Sequence, residues 1–557
     1  MTHMIDRLRN LAPGTRVDAD ICIIGGGAAG ISIAHLLANT GKKIVVLSGG
    51  AKRERASDRD LYRGVVVPGT NHEPLEEARR RVWGGSTVVW GGRCIPFEPI
   101  DFEARSWVPG SGWPFSYDEL LPYYRRANDL CEAGEYAYEA GDVFGAGAAE
   151  MLRGFDTGDM TSSSLERWSP PTNFARRYGP ALGARPNIVV ALDAHALGIR
   201  VSGDGGQVDR IAATTSANSR FNVVAKDYVL ACGGLENPRL LLASNDVAPA
   251  GVGNRFDNVG RYYMSHIAGV LGSVRLSDPG SLLAYGFETD DEGVYCRRRF
   301  RLTASAQERL EIGNGVAFFF RPNIASAVHR NALFSAAYLG KTYMAALRGR
   351  SPAESLRALR DSKAARREHW RVVVKDAPGI VPESVRLFRQ RILAKRRLPM
   401  FLGDPAEQLP LFYQTEHIPN RESQVRLCGE RDRFGMPRLE VGVRFTTLDF
   451  KTVLEFHRVL AARLQERSLG EFVYDMSDPL EHLERQTSLF NSNAHHIGTT
   501  RISERAEDGV VDRDCKVHGV ANLFVAGSSV FPTSGHANPT LTLVALAARL
   551  ADFLRYR

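Results

Sequence analysis

Two adjacent imidazoles, His495 and His496, and a carboxamide, Asn538, stand near the end of the chain, with His495 and Asn538 43 positions apart. An imidazole titrates near neutrality and suits a general base. A carboxamide holds an oxygen without changing its own charge. Between them lies a strand-like run, Ala521 to Ala526, and after them an apolar helix that opens at Pro539. Base, amide and helix start in one segment have the makings of an active site. Asn538 also has a purely structural reading, because Asn followed by Pro is a standard helix opening with Asn as the N-cap. If His495 and His496 lie on a strand, their side chains face opposite ways and only one serves the site.

Three glycine clusters upstream are the elements that must position such a pair. Asp18 to Gly30 reads DADICIIGGGAAG. Ile21–Ile24 is predicted as a short buried strand and 28–39 as a helix, with Gly25, Gly27 and Gly30 forming GxGxxG between them. This is the strand–loop–helix setting of a dinucleotide site. Gly25 makes the turn, Gly27 and Ala28 bring backbone to a pyrophosphate, and Gly30 packs helix on strand. A second strand, Lys43–Leu47, is followed by Ser48, where a ribose-binding acid is expected; a hydroxyl makes a weaker contact there.

The second cluster, RRVWGGSTVVWGGRCIP, sets the doublets Gly84–Gly85 and Gly91–Gly92 around Ser86, Thr87 and Trp90. Paired glycines suit backbone packed against a flat or phosphorylated ligand. The third, DYVLACGGLENPRLLLAS, is a strand ending at Ala231, a turn at Gly233–Gly234 and a helix from Asn237. Ser116 and Glu119 form a capping box for a helix through Leu130.

Composition sets the outer bounds. The chain has 557 residues, 44% hydrophobic and 24% charged, as in ordinary globular enzymes of more than one domain. Its 53 glycines gather in clusters. Seven scattered cysteines without a CxxC pair indicate reduced thiols and a cytoplasmic protein, with no metal site and no attached c-type haem. The first twenty residues hold neither an apolar core nor a twin arginine, so no export signal is expected, and Met4 is a second candidate start. No run is long and apolar enough to span a bilayer. Net charge is +8, yet 341–397 alone carries 16 Lys and Arg against 5 Asp and Glu, which leaves the remainder at −3. The basicity is local, so a nucleic-acid partner is not expected.

GGGAAG, VWGGSTVVWGG, ACGGLENPRLLLAS, HHIGTT and GHANPTLT occur in this order in the glucose–methanol–choline (GMC) oxidoreductases. The chain resembles that family over about residues 18–130, 225–267, 410–445 and 485–554, most of all the branch of pyranose 2-oxidase, glycoside 3-oxidases and bacterial sugar and gluconate dehydrogenases. The resemblance implies an α/β plus α+β architecture: a Rossmann-like FAD-binding domain beside a mostly antiparallel substrate domain. The expected divisions are 1–267 for FAD, with substrate-domain insertions in 130–190; 268–480 for substrate; and 481–557 returning to the FAD domain.

The family pattern His-x-x-Gly-Thr, met by Gly498 and Thr499, selects His495 as the base with Asn538 as its partner. Hydride would pass to flavin N5 as an alcohol becomes a carbonyl. Gly527 and Ser528 are expected at the pyrophosphate or ribityl chain, Thr540 at the flavin pyrimidine edge, and His496 and His536 near substrate. Some relatives bind FAD covalently through a histidine where Val89 stands, so FAD is expected to be non-covalent. The implied substrate is a sugar, glycoside or polyol, with oxygen or a quinone as electron acceptor; the alternative is a non-redox lyase that keeps FAD as structure.

In the substrate region, Gly315–Phe320, Leu409–Glu416 and Ser423–Leu427 are predicted strands, and Thr447–Arg467 a helix closed by Gly470. The basic stretch 341–397 reads as amphipathic helices broken at Pro352, Pro378 and Pro382. It is either a solvated face, a lid over substrate, or a surface for an anionic partner such as a phosphorylated substrate or a membrane.

Overall fold

The computed structural model describes residues 12–557 apart from 71, 149, 157, 348–362, 404, 406 and 487–493. The first eleven residues, Pro352 and the start of the closing stretch at 491–493 lie outside the described residues.

Two sheets carry the site. In the first, the strands run in the order Ile188–Leu192, Ile44–Ser48, Arg16–Ile24, Arg220–Leu230, Val208–Thr215 and Ala194–Val201. Leu523–Val525 pairs with the far end of Arg220–Leu230. The first four of these and Leu523–Val525 are parallel; the other two close the sheet antiparallel. Parallel strands covered on both faces read as unbroken apolar runs. Ile21–Ile24 and Ile44–Leu47 do, and every one of those residues is buried. The helices Ala28–Leu36 and Thr540–Arg555 pack together beside this sheet. The glycine loop after Ile24 and the strand ends at Leu230 and Val525 therefore meet at one edge.

The second sheet is antiparallel, in the order Gly470–Tyr474, His266–Leu276, Leu409–Glu416, Gly315–Phe319, Tyr295–Leu302, Met160–Trp168 and Arg93–Cys94. Its last strand follows Gly91–Gly92 directly, so the second glycine cluster joins the two sheets. The apolar side of this sheet packs on the helix Thr447–Glu466 through Phe300, Phe319, Leu411 and Phe456. A third, three-stranded sheet joins Gln424–Arg431, Pro437–Gly442 and Gly64–Val66.

Several boundaries differ from expectation for identifiable reasons. The first helix stops at Leu36, and 37–39 form turns. The helix Thr447–Glu466 begins with a Thr446–Asp449 capping box, but Gly470 does not close it. Ser468 takes the left-handed conformation after the helix, and Gly470 starts the next strand. A Cβ on Gly470 would sit 2.2 Å from the Arg275 carbonyl oxygen. Pro382 does not break its helix, which runs from Ala377 to Phe388 with Pro378 in its first turn. A proline there forfeits one backbone bond, and packing of the helix against Ala332–Leu347 holds it in place. His495 and His496 lie in an irregular segment with a single bridge from Ile497 to Met264, not on a strand.

Candidate active site

A cavity of about 800 Å³ runs between the glycine loops and the antiparallel sheet, within the size range of ligand pockets, about 300–1,000 Å³. One wall holds Gly25, Gly27, Ala28, Ser48, Gly85, Ser86, Trp90, Gly91, Ala231, Gly233, Gly527, Ser528 and Thr540. The opposite wall holds Trp168, Arg297, Phe318, Phe412 and Gln414. His495, His496 and Asn538 line the same cavity. Of the residues expected at the cofactor, Gly30, Gly84 and Gly92 are not in its lining.

The glycines divide by what a side chain would meet. A Cβ on Gly25 would lie 2.1 Å from the Ala231 oxygen, and one on Gly30 would lie 2.0 Å from the Gly25 oxygen. A Cβ on Gly92 would approach the Ser169 oxygen at 2.6 Å. These glycines allow strand, loop and helix to touch. Gly27, Gly91, Gly233 and Gly527 would meet nothing within 4 Å. Their bare backbone faces open space, which is a cradle for a flat, phosphorylated group. Gly27 also precedes the helix Ala28–Leu36, which has no side-chain cap at its start. Its leading N–H groups therefore suit a pyrophosphate.

Ser48 is buried at one end of the cavity, and its hydroxyl reaches Gly50 O at 3.4 Å. The same end holds three side chains that motif reading passed over: Arg81, His195 and Glu236. Arg81 Nη2 donates to His195 Nδ1 at 3.1 Å. Burial pushes Glu236 up, but Arg239, Arg79 and Arg81 outweigh it and hold the carboxylate at about 2. Burial and the Arg81 charge push His195 down to about 2, so it stays neutral. Glu236 is an acid beside the expected ribose position, but it is committed to three guanidinium groups.

At the other end the protonation pattern follows from one chain of contacts. Arg93 Nη1 donates to Asn538 Oδ1 at 3.0 Å, and Gln414 Nε2 donates to the same oxygen at 3.3 Å. Arginine only donates, so Asn538 must turn its oxygen to Arg93 and its NH₂ to the other side. That NH₂ lies 3.2 Å from His495 Nε2. His495 Nε2 is therefore the unprotonated nitrogen, and Nδ1 carries the hydrogen. His495 Nδ1 donates it to His266 Nδ1 at 2.9 Å. Burial, with the nearby charge of Arg93, pushes His495 down to about 4. The result is a neutral imidazole with its lone pair turned toward Asn538.

Arg93 is fixed in turn. Its Nε pairs with Glu166, which also accepts from Arg297 Nη2 at 2.9 Å. Arg93 also donates to Gln414 Oε1 at 3.2 Å, while Gln414 Nε2 donates to His536 O at 2.6 Å. Phe318 packs beneath both cations, 4.8 Å from Arg93 and 3.6 Å from Arg297.

Two expectations need correction. Asn538 is not a helix cap: the helix starts at Thr540 after Pro539, and no side chain caps it. The amide is occupied by Arg93, Gln414 and His495. His536, expected near substrate, does not line the cavity. It is fully buried behind the cavity wall, where its Nε2 accepts from Arg299 Nη1 at 2.6 Å. His496 lines the cavity but stacks with His72 and Tyr263, each ring centre 6.1 Å away. Ser528 Oγ anchors its carbonyl at 2.7 Å.

Arg93, Gln414, His266, Glu166 and Arg297 escaped the sequence reading. Arg93 had a positional signal, immediately after a glycine doublet. Gln414 is a lone amide in the apolar strand Leu409–Glu416. Arg297 sits in the run Arg297–Arg299, which reads as solvated yet is buried throughout.

Parallel strands with a glycine-rich turn, joined to an antiparallel sheet over a histidine–amide pair, define a flavin-dependent oxidoreductase. Residues 419–547 match the family model described as GMC oxidoreductase. It is similar to the fructose dehydrogenase large subunit of Gluconobacter japonicus, 23% identical over 96% of this chain and 97% of that one. It is also similar to paromamine 6'-oxidase of Streptomyces fradiae, 21% identical over 96% and 90%. C-glycoside 3-oxidase of Arthrobacter globiformis is 39% identical over 21% of each chain. Among solved structures, pyridoxine 4-oxidase from Mesorbium loti shares the fold at a TM-score of 0.54, with 17% identity over 97% of this chain and 99% of that one. An FAD-dependent oxidoreductase from Chaetomium thermophilum does so at 0.55, with 18% identity over 97% and 99%. All five are oxidases, dehydrogenases or oxidoreductases; none is a lyase. FAD is the cofactor of this family, and the open glycine cradle and the helix start at Ala28 fit it.

Proposed function

We propose that this chain oxidises an alcohol of a sugar, glycoside or related polyol to a carbonyl, using non-covalent FAD. The observation that carries the reading is the His495–Asn538 pair, whose amide orientation is dictated by Arg93, facing the glycine cradle across one cavity. A substrate hydroxyl placed between these two groups accepts from Asn538 Nδ2 and donates to His495 Nε2. As the C–H bond breaks, His495 Nε2 takes the hydroxyl proton and its positive charge is shared with His266. FAD, when bound, supplies the hydride acceptor. Trp168 and Phe412 give the substrate wall apolar faces on which the C–H side of a sugar ring stacks, and Gln414 and Arg297 give it polar points.

The named relatives support the sugar and glycoside class. Val89 lines the cavity where a covalent link would need a nucleophile, which supports non-covalent binding. Seven free cysteines support a reducing, cytoplasmic setting. The proposed acceptor is oxygen or a quinone. The test is an anaerobic screen of free sugars, glycosides and sugar acids, read as bleaching of the flavin spectrum and followed by reoxidation with air or a quinone. The proposal expects bleaching with at least one member of these classes; a flavin-loaded, folded protein that bleaches with none of them contradicts it.

A further inference from the structure

The basic stretch makes no part of the cavity wall: among the described residues of 341–397, none lines it. Its described helices are held firmly nonetheless. The helix Lys363–Lys375 packs on Ala332–Leu347, with His369 stacked on Tyr338 at 4.1 Å and bonded to Ser335 Oγ at 3.0 Å. Glu383 of the helix Ala377–Phe388 accepts from Asn331 at 3.1 Å. The outer side of that helix, continued by the wider turn Arg389–Leu393, is unlike a solvated face. Val381, Val385, Phe388 and Ile392 follow at spacings of 4, 3 and 4, one stripe of a helix. They are 52–68% exposed. A helix face meant for water carries polar residues at such positions.

Cations border the stripe. Arg386, Arg389, Arg391, Lys395 and Arg397 are all exposed. The only acid in 381–397 is Glu383, already engaged by Asn331. An apolar stripe with a cationic border is the composition of a helix lying in the interface of an anionic bilayer, with acyl chains taking the apolar side and headgroups the cations. A second copy of this chain is a poor occupant, because matching the face with itself opposes like charges.

We infer that the stripe Val381–Ile392 docks this protein on an anionic lipid surface. Leu398 N–H donates to Gln390 O at 3.1 Å, so the chain returns from the stripe directly into Pro399 and Met400 of the cavity wall. The inference stands on the exposed stripe and its cationic border and does not depend on which alcohol the site oxidises.

Co-sedimentation of the FAD-loaded full chain with vesicles tests it, using phosphatidylcholine alone and with phosphatidylglycerol added. The protein should pellet with the anionic vesicles and remain in solution with the neutral ones. Raising the salt should weaken binding, since surface charge is screened within about 10 Å at 0.1 M. Replacing Val381, Val385, Phe388 and Ile392 with Gln should lower the bound fraction about tenfold or more, with flavin content and melting temperature unchanged. Arg389→Gln with Lys395→Gln and Arg397→Gln should remove the preference for anionic lipid. Failure of the unaltered protein to bind anionic vesicles overturns the inference. Equal binding by the stripe variant also overturns it. A dimer that the stripe variant dissociates, in a protein that ignores vesicles, assigns the face to a second copy and overturns it as well.

Discussion

At the scale of single residues, the site turns on which nitrogen of His495 carries the hydrogen. Arg93 decides this from two bonds away, by fixing the Asn538 amide. Asn538→Asp should therefore do more than change one atom: a carboxylate beside His495 favours its protonated form and removes the lone pair at neutral pH. Flavin reduction in that variant should rise with pH from 6 to 9, whereas the unaltered enzyme should show no loss on this account down to about pH 5, because His495 titrates at about 4. Stopped-flow pH profiles of both proteins check this. His266→Phe keeps an apolar ring but removes the acceptor for the His495 Nδ1 hydrogen. The expected result is a fall in the reduction rate of about tenfold or more with little change in substrate affinity, the mark of a residue that acts through another. Arg93→Met leaves Glu166 buried with Arg297 as its remaining partner. Breaking such a pair costs about 3 kcal/mol, read as a lower denaturation midpoint.

At the scale of elements, the glycine loops do two different jobs that identical letters conceal. Gly25→Ala drives a Cβ to 2.1 Å from the Ala231 oxygen and should destabilise the apoprotein. Gly27→Ala places a Cβ with no protein atom within 4 Å and should leave apoprotein stability unchanged while FAD affinity falls. Thermal melts and flavin titration of both variants separate the two roles. The loops were legible in the sequence because close backbone approach and positive φ demand glycine at fixed spacing. Two strands of the antiparallel sheet were legible as apolar runs, Leu409–Glu416 as expected and Gly315–Phe319 one residue shorter, while Ser423–Leu427 proved to be part of Gln424–Arg431 in the three-stranded sheet. The antiparallel sheet's contribution to the site was not legible. Gln414, Glu166 and Arg297 come from strands far apart in the chain, and they acquire a role only when strand pairing brings them to one face. Asn538 shows the opposite difficulty. Its local sequence completely explained a helix cap, and only Arg93, placed beside it by tertiary folding, assigns the amide elsewhere.

At the scale of the whole molecule, the cavity forms where the parallel sheet ends and the antiparallel sheet faces it, so neither half holds the full set of groups. Burial of neutral imidazoles in this arrangement has a consequence for stability. Burial pushes His72, His457 and His495 down to about 4 and His195 to about 2. The unfolded chain binds protons at these positions below about 6.5, where the folded chain does not. Stability should thus fall as pH drops from about 6.5 toward 4, and these groups should have no effect above 7. Asp101 works the other way, since burial and the charges of Glu416 and Glu98 raise it to about 7; it is one group against four. Melting temperatures across pH 4.5–8 check the sign. Among the described residues no helix is long and apolar enough to cross a membrane, so the lipid contact inferred for Val381–Ile392 is one of surface docking.

The most direct test of the central claim is anaerobic flavin reduction in His495→Ala, with a polyol that bleaches the unaltered enzyme. With FAD still bound, the rate should fall by about 10²–10⁴, the usual contribution of a general base. Reduction at the unaltered rate in a fully FAD-loaded His495→Ala protein would contradict the account.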